Sequence, residues 1–300
     1  MSTESNLPAD PLFPGFAVRR VQTVGATIHC VIGGSGPPLL MLHGYPQTHA
    51  MWHRVAPHLA QRYTVVCADL RGYGDSSKPR SDVLHLTYSK RATAADMVEL
   101  MAALGFSRFR LVGHDRGARV SHRLCLDHPD AVDRVAMLDI SPTRIMLAQT
   151  DQAFATAYYH WFFLIQPFDF PERMIGADPV YYLHQKIGSW GTGLGKFDPR
   201  ALAQYERCFS DPATIHASCE DYRAAASIDL QHDADDGDRR IECPLLVLWG
   251  EHGVVHRLFE PLEDWRSCAI DVRGRAVPSG HYIAEEIPDL LCRELEAFLH

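Results

Sequence analysis

The segment Gly113-His114-Asp115-Arg116-Gly117 places a carboxylate at the apex of a tight turn. A short apolar strand, Phe109 to Val112, leads into it, and a helix reaching about Asp127 leads out. Such a turn needs glycine on both flanks, because a Cβ there would collide with the chain folding back. The apex side chain then stands above the sheet edge, beside the positive end of the helix. An aspartate, with an ordinary pKa of about 3.9, is already ionised near neutral pH. Unlike a serine, it needs no base before it attacks. It suits displacement at a saturated carbon that carries a leaving group. The product would be an ester of Asp115 that water must then cleave, so the chemistry expected is covalent and has two steps.

Arg116 and Arg119 stand three apart on the first turn of the same helix and can share a face. Cations there oppose the helix dipole, at a cost of a few tenths of a kcal/mol each. A substrate carboxylate would offset that cost, since guanidinium presents a planar fork matched to it. An anionic substrate approaching ionised Asp115 meets a repulsion of about 4 kcal/mol at 4 Å and an effective dielectric of 20. Two arginines could cancel it. Arg123, one turn further on, reads as a surface ion pair with Asp127 or Asp130.

The elements needed to position these groups follow from the apolar pattern. Val18 to Val31 reads as an antiparallel edge hairpin turning near Val24-Gly25. Pro38–Leu42, Tyr63–Leu70, Phe109–Val112, Val132–Ile140, Leu245–Trp249 and Ile270–Val272 read as further strands. Helices are expected from about Tyr88 to Leu104 and from Pro288 to Leu299. Apolar strands alternating with helices predict a mostly parallel sheet covered on both faces. Ligands bind beyond the carboxyl ends of such strands, where Asp115, Asp139 and His281 fall. Between Ile140 and Cys243 the pattern becomes helical and aromatic, predicting an inserted cap over residues 142–240. It divides a core made of residues 1–141 and 241–300. The acidic run from Asp233 to Asp238 reads as a solvated loop at its exit.

Four segments together resemble the α/β-hydrolase fold: His43-Gly44-Tyr45-Pro46-Gln47, Asp69 to Ser76, the Asp115 elbow, and Ser279-Gly280-His281-Tyr282. The elbow with its two arginines, joined to His160-Trp161, resembles the haloacetate (fluoroacetate) dehalogenases within that fold. The resemblance runs from about Phe13 to Phe298. It implies an eight-stranded, mostly parallel sheet and hydrolysis of short 2-halo acids, with fluoroacetate the preferred substrate. His281 follows the last strand on a Ser-Gly loop, and its place after nucleophile and acid matches the family's chain order, so it is expected to activate water against the ester. The resemblance implies Asp139 as the acid orienting His281, with Glu251 as runner-up after the Val247–Gly250 strand. It also implies His160, Trp161 and Tyr222 as donors to the departing halide, although Tyr158 and Tyr159 compete for the tyrosine's role. Backbone N–H groups near Tyr45 and at Arg116 are expected to bind the oxyanion. Tyr45 and Trp190 are expected to wall the pocket. An epoxide hydrolase uses the same aspartate, histidine and acid, but a neutral epoxide gains little from Arg116. A haloalkane dehalogenase generally has tryptophan where Arg116 stands. A non-catalytic receptor would have no use for Asp115, Asp139 and His281 together.

Composition narrows the remainder. Hydrophobic residues make up 46% and charged residues 22%, ordinary for a globular enzyme, and the net charge of -8 offers no footprint for nucleic acid. The polar, proline-rich start, Met1 to Pro14, lacks the pattern of a secretion signal, and no apolar run is long enough to span a bilayer. The 8 cysteines are scattered, and Cys30, Cys67 and Cys125 lie in apolar segments, which suggests buried free thiols and a cytoplasmic setting. His252 and His256 follow a strand and read as loop or surface residues rather than metal ligands. No metal or cofactor is expected. The expected partner is a small halo acid, with no nucleic acid and no membrane; the resemblance implies a homodimer.

Overall fold

In the computed structural model, residues 8–300 are described; Met1–Leu7, and with them half of the proline-rich start, lie outside the described residues. The strands are β1 (Ala17–Gln22), β2 (Thr27–Gly33), β3 (Pro38–Leu42), β4 (Thr64–Ala68), β5 (Phe109–His114), β6 (Val132–Leu138), β7 (Leu245–Gly250) and β8 (Val272–Val277). They form one sheet in the order β1-β2-β4-β3-β5-β6-β7-β8. The β1–β2 and β2–β4 pairs are antiparallel and the others parallel. The hairpin turns where the pattern places it, closed by the Thr23 N–H donating to the Ala26 carbonyl at 2.8 Å. Leu39–Leu42, Val65–Ala68, Leu111–His114, Val135–Leu138 and all of β7 are buried, because helices cover both faces. Helices Lys90–Ala103 and Arg116–Asp127 lie side by side, tied by Arg91 to Asp127 at 2.8 Å.

Between β6 and β7 the chain leaves the sheet for a run of helices from Thr143–Ala148 to Ile228–Asp236. This insertion packs on the carboxyl ends of the parallel strands: Arg116 and Tyr73 of the core both bond Asp221 of the insertion.

Three expectations are corrected here. The last strand is Val272–Val277, not Ile270–Val272. As an edge strand it alternates exposed Arg273 and Arg275 with more buried neighbours, so it carries no continuous apolar run. The acidic run is not a loop: Asp233 to Asp236 complete the Ile228–Asp236 helix. Arg123 is the reason, and it is not a surface residue. It is buried and bonds Asp233 at 2.7 Å, Asp236 at 2.5 Å and Asp127 at 3.2 Å. A buried guanidinium requires such neutralisation.

Candidate active site

Asp115 stands between β5 and its helix with φ 47° and ψ −112°, a conformation that costs a non-glycine residue about 1–3 kcal/mol. The glycines explain how the turn closes. A Cβ on Gly113 would lie 2.5 Å from Ser121 Oγ, and one on Gly117 would lie 2.5 Å from the carbonyl oxygens of Leu42 and His43. Gly44 is needed for the same reason, since its Cβ would meet Asp115 Cβ at 2.5 Å. Asp115 is buried, and its Oδ1 accepts the Tyr45 N–H at 2.9 Å. Burial alone would raise this carboxyl, but the groups around it, His281 first and then Arg119 and Arg116, hold it below the ordinary carboxylate range. Burial and His281 push His114 itself down to about 3, so it is uncharged near neutral pH. Of the nearby groups, the two arginines therefore supply the permanent positive field.

His281 follows β8, and its Nδ1 lies 2.6 Å from Asp139 Oδ2. Asp139 leaves the end of β6 with φ 53°, and its Oδ1 accepts the Gly250 N–H at 2.8 Å. Both Asp139 oxygens are thus committed, one to the histidine and one to the neighbouring strand end. Glu251 is exposed and lies 3.6 Å from His252, away from this pair. With Nδ1 occupied as donor to Asp139, the Nε2 of His281 keeps a lone pair suited to taking a proton. That atom is buried without a partner. The insertion joins in: the His281 N–H donates to the Trp190 carbonyl at 3.0 Å, and the Trp190 ring meets the His281 ring edge-on at 4.9 Å.

Arg116 is held by Asp221, with Nε to Oδ2 at 2.6 Å and Nη2 to the carbonyl at 2.8 Å. Arg119 uses Nη1 on Thr143 Oγ1 at 2.7 Å and the Ser141 carbonyl at 3.2 Å. Burial and the nearby Arg116 draw Arg119 down to about 10, which leaves it charged at neutral pH. Each guanidinium also lies over an aromatic ring, Arg116 at 4.1 Å from Tyr222 and Arg119 at 4.6 Å from Trp161. The fork of each is only partly used. Arg116 Nη1 and Arg119 Nε are buried with no partner among the described residues.

His160, Trp161 and Tyr222 come together around these arginines. His160 and Tyr222 rings are 5.5 Å apart, and those of Trp161 and Tyr222 are 6.4 Å apart. Trp161 Nε1 and Tyr222 Oη are buried without partners, like the arginine atoms and His281 Nε2. An unmade bond of this kind costs about 1–3 kcal/mol. Other buried orphans include His114 Nδ1 and Tyr282 Oη, whose rings pack against His281 at 4.5 and 5.0 Å, and atoms away from the site such as His29 Nδ1 and Trp52 Nε1. Tyr45 stacks on His160 at 6.0 Å, and Trp190 lies between His160 at 4.8 Å and His281. Tyr159 is half exposed, while Tyr158 is buried against Trp190 at 4.7 Å.

Asp221 and Lys186 escaped the sequence reading. Asp221 anchors Arg116, Lys90 and Tyr73 at once, and its carboxyl is held far below the ordinary range because these cations outweigh its burial. Its position next to Tyr222 was the available clue. His256 Nδ1 accepts the Trp249 indole N–H at 3.0 Å. Among the described residues, only His29, His49 and Asp69 bring potential metal-ligand atoms within 4.8 Å of one another. His49, however, has one ring nitrogen on Asp69 at 2.9 Å and the other on Asp10 at 3.1 Å. Burial would lower its pKa, but the two carboxylates raise it to about 10. Both ring nitrogens are engaged by carboxylates, which leaves neither free for a metal in this arrangement. No described helix is long and apolar enough to cross a membrane.

The elbow, the histidine–aspartate pair and the sheet order define an α/β hydrolase, and a family model of the alpha/beta hydrolase fold matches residues 37–282. The fluoroacetate dehalogenase of Burkholderia sp is 50% identical over 96% of this chain and 95% of its own length. The soluble epoxide hydrolase of Corynebacterium sp. (strain C12) is 32% identical over 89% of this chain and 91% of its own. The crystal structure of ALR0039 of Nostoc sp PCC 7120 superposes with a TM-score of 0.94 at 57% identity, covering 95% of this chain and 98% of that one. The chain belongs to the α/β-hydrolase family.

Proposed function

We propose that the protein hydrolyses the carbon–halogen bond of short 2-halo carboxylic acids, with fluoroacetate and chloroacetate giving glycolate and halide. The observation that carries this reading is the set of buried, unpartnered atoms on Arg116, Arg119, Trp161, Tyr222 and His281. Four are N–H or O–H donors beside an ionised aspartate, and the fifth can accept a proton. A haloacetate suits them, since it brings a carboxylate for the arginines and a leaving anion for the aromatic donors.

In the first step the substrate carboxylate bonds Arg116 Nη1 and Arg119 Nε, which offsets its repulsion from Asp115. The Tyr45 N–H holds Asp115 Oδ1, leaving Oδ2 to attack the halogen-bearing carbon. The carbon–halogen bond breaks, and its electron pair leaves on halide toward His160, Trp161 and Tyr222. In the second step His281 Nε2 takes a proton from water, and the hydroxide adds to the ester carbonyl. Negative charge forms on Oδ1, where the N–H groups of Tyr45 and Arg116 stabilise it. Collapse releases glycolate carrying the original Oδ2, and Asp115 keeps an oxygen from water. Asp139 fixes the tautomer of His281 and stabilises the imidazolium. Displacement and hydrolysis consume only water.

In this reading residues 142–240 form the cap, and residues 1–141 and 241–300 form the catalytic core. Phe168, Phe170, Met174 and Tyr181 of the cap are large apolar side chains left exposed, which supports a homodimer. Reduced, mostly buried cysteines fit a cytoplasmic enzyme. The 32% identity to an epoxide hydrolase supports a second reading, ring opening by the same aspartate. Two unpaired arginine donors favour the acid. Halide release from fluoroacetate and chloroacetate, measured beside diol formation from styrene oxide, separates the two. Diol without halide would overturn the dehalogenase reading.

A further inference from the structure

Lys186 lies on the Pro179–Gly188 helix of the insertion and is 1% exposed. Its Nζ is 3.0 Å from His160 Nδ1 and 3.3 Å from the centre of the Trp190 ring. Among the described residues no carboxylate lies within salt-bridge distance of it, although every other buried lysine or arginine of the site has an oxygen partner. Burying an ammonium without a carboxylate costs several kcal/mol. A residue kept at that cost has work to do.

We propose that Lys186 is a positioning residue that sets the tautomer of His160. Its Nζ–H donates to Nδ1 and so leaves the ring proton on Nε2, where it meets the departing halide. In its charged form Lys186 can only donate, so the contact then admits one tautomer of a neutral histidine, whereas a neutral amine would accept from Nδ1–H and give the other. The Trp190 face favours the cationic form of Lys186. Burial, then the charges of Lys186, Arg116, His281 and Arg119, hold His160 well below its ordinary pKa, so the ring is neutral and its tautomer matters. Burial draws Lys186 well below its ordinary pKa, and the charge of Asp115 opposes that pull. Tyr45 stacks on His160 at 6.0 Å, and Tyr158 stacks on it at 5.7 Å, which keeps the ring from turning over. The inference rests on the dehalogenase reading, and it predicts a dependence on the leaving group. Fluoride is small and charge-dense and needs every donor, whereas bromide leaves with less help.

Two measurements test it. In protein labelled with nitrogen-15 at histidine, with His160 identified by its loss in His160→Gln, the expected spectrum shows a neutral ring protonated at Nε2. A ring protonated at Nδ1 overturns the proposal, and this experiment needs no Lys186 variant to fold. In kinetics, Lys186→Met should lower kcat for fluoroacetate by about 10- to 100-fold, with KM nearly unchanged and a severalfold smaller loss on bromoacetate. Lys186→Gln, which retains an N–H donor, should recover part of the loss. Equal losses on both substrates in a folded Lys186→Met protein, or no loss, also overturn it. If the unmodified protein releases no fluoride, the dehalogenase reading fails, whereas the histidine spectrum still reports the tautomer.

Discussion

Replacing Tyr222 by phenylalanine should move activity and stability in opposite directions. The hydroxyl is buried and has no partner, so the fold carries its desolvation, about 1–3 kcal/mol. The ring itself is held by the Arg116 guanidinium at 4.1 Å and by Tyr45 at 5.3 Å, contacts that phenylalanine retains. Stability against urea should therefore stay level or rise, by up to that amount. A hydrogen bond to a developing halide is charge-assisted and worth about 1.5–3 kcal/mol. At about 1.4 kcal/mol per factor of ten, kcat on fluoroacetate should fall about 10- to 150-fold. Initial rates from a fluoride electrode and urea melts on the same preparation measure both sides. Unchanged turnover together with a less stable fold would show that the hydroxyl serves packing, and the donor assignment would fail.

Three further outcomes follow from the geometry. Arg119→Lys replaces a partly free fork by a point charge and should raise KM for haloacetates about tenfold with a smaller change in kcat; unchanged kinetics would remove Arg119 from the carboxylate clamp. His281→Ala should still release one equivalent of halide and then stall, leaving the Asp115 peptide heavier by a carboxymethyl group, whereas steady turnover would show that another group activates water. Glu285 of the core, which accepts the Tyr205 hydroxyl of the insertion at 2.6 Å, is raised by burial from the ordinary glutamate value of 4.5 to about 8. The folded state then binds a proton that the unfolded chain releases, so stability should fall between pH 4.5 and 8 with a slope of up to about 1.4 kcal/mol per unit. Glu285→Gln should flatten that slope in urea melts, and an unchanged slope would assign it to another group.

The elbow was legible because its requirements are local. Gly113 and Gly117 flank Asp115 in sequence, and the same glycines face the carbonyls and side chains that leave no room for a Cβ. Buried parallel strands announced themselves by their apolar runs, and β8 did not, because its arginines face solvent. The acidic run looked like a solvated loop for lack of any sequence sign that Arg123, more than a hundred residues earlier, lies against it. A similar distance hid Asp221, whose partner Arg116 reaches it only when the insertion folds onto the strand ends. Lys186 meets His160 between two helices of the insertion itself, and it escaped notice because charge on a helix ordinarily faces water. His160, Trp161 and Tyr222 were named through the family resemblance. Spacing alone could not have separated Tyr222 from Tyr158 and Tyr159, whereas the structure gives only Tyr222 an unpartnered buried hydroxyl among the three.

The covalent route is tested most directly by a single turnover in water enriched in oxygen-18, with enzyme in excess over fluoroacetate. The expected result is isotope in the Asp115 carboxylate and none in the glycolate hydroxyl, because that oxygen comes from the protein. Isotope in the first glycolate released, with Asp115 unlabelled, would mean that water attacks the halogen-bearing carbon itself and that no ester forms.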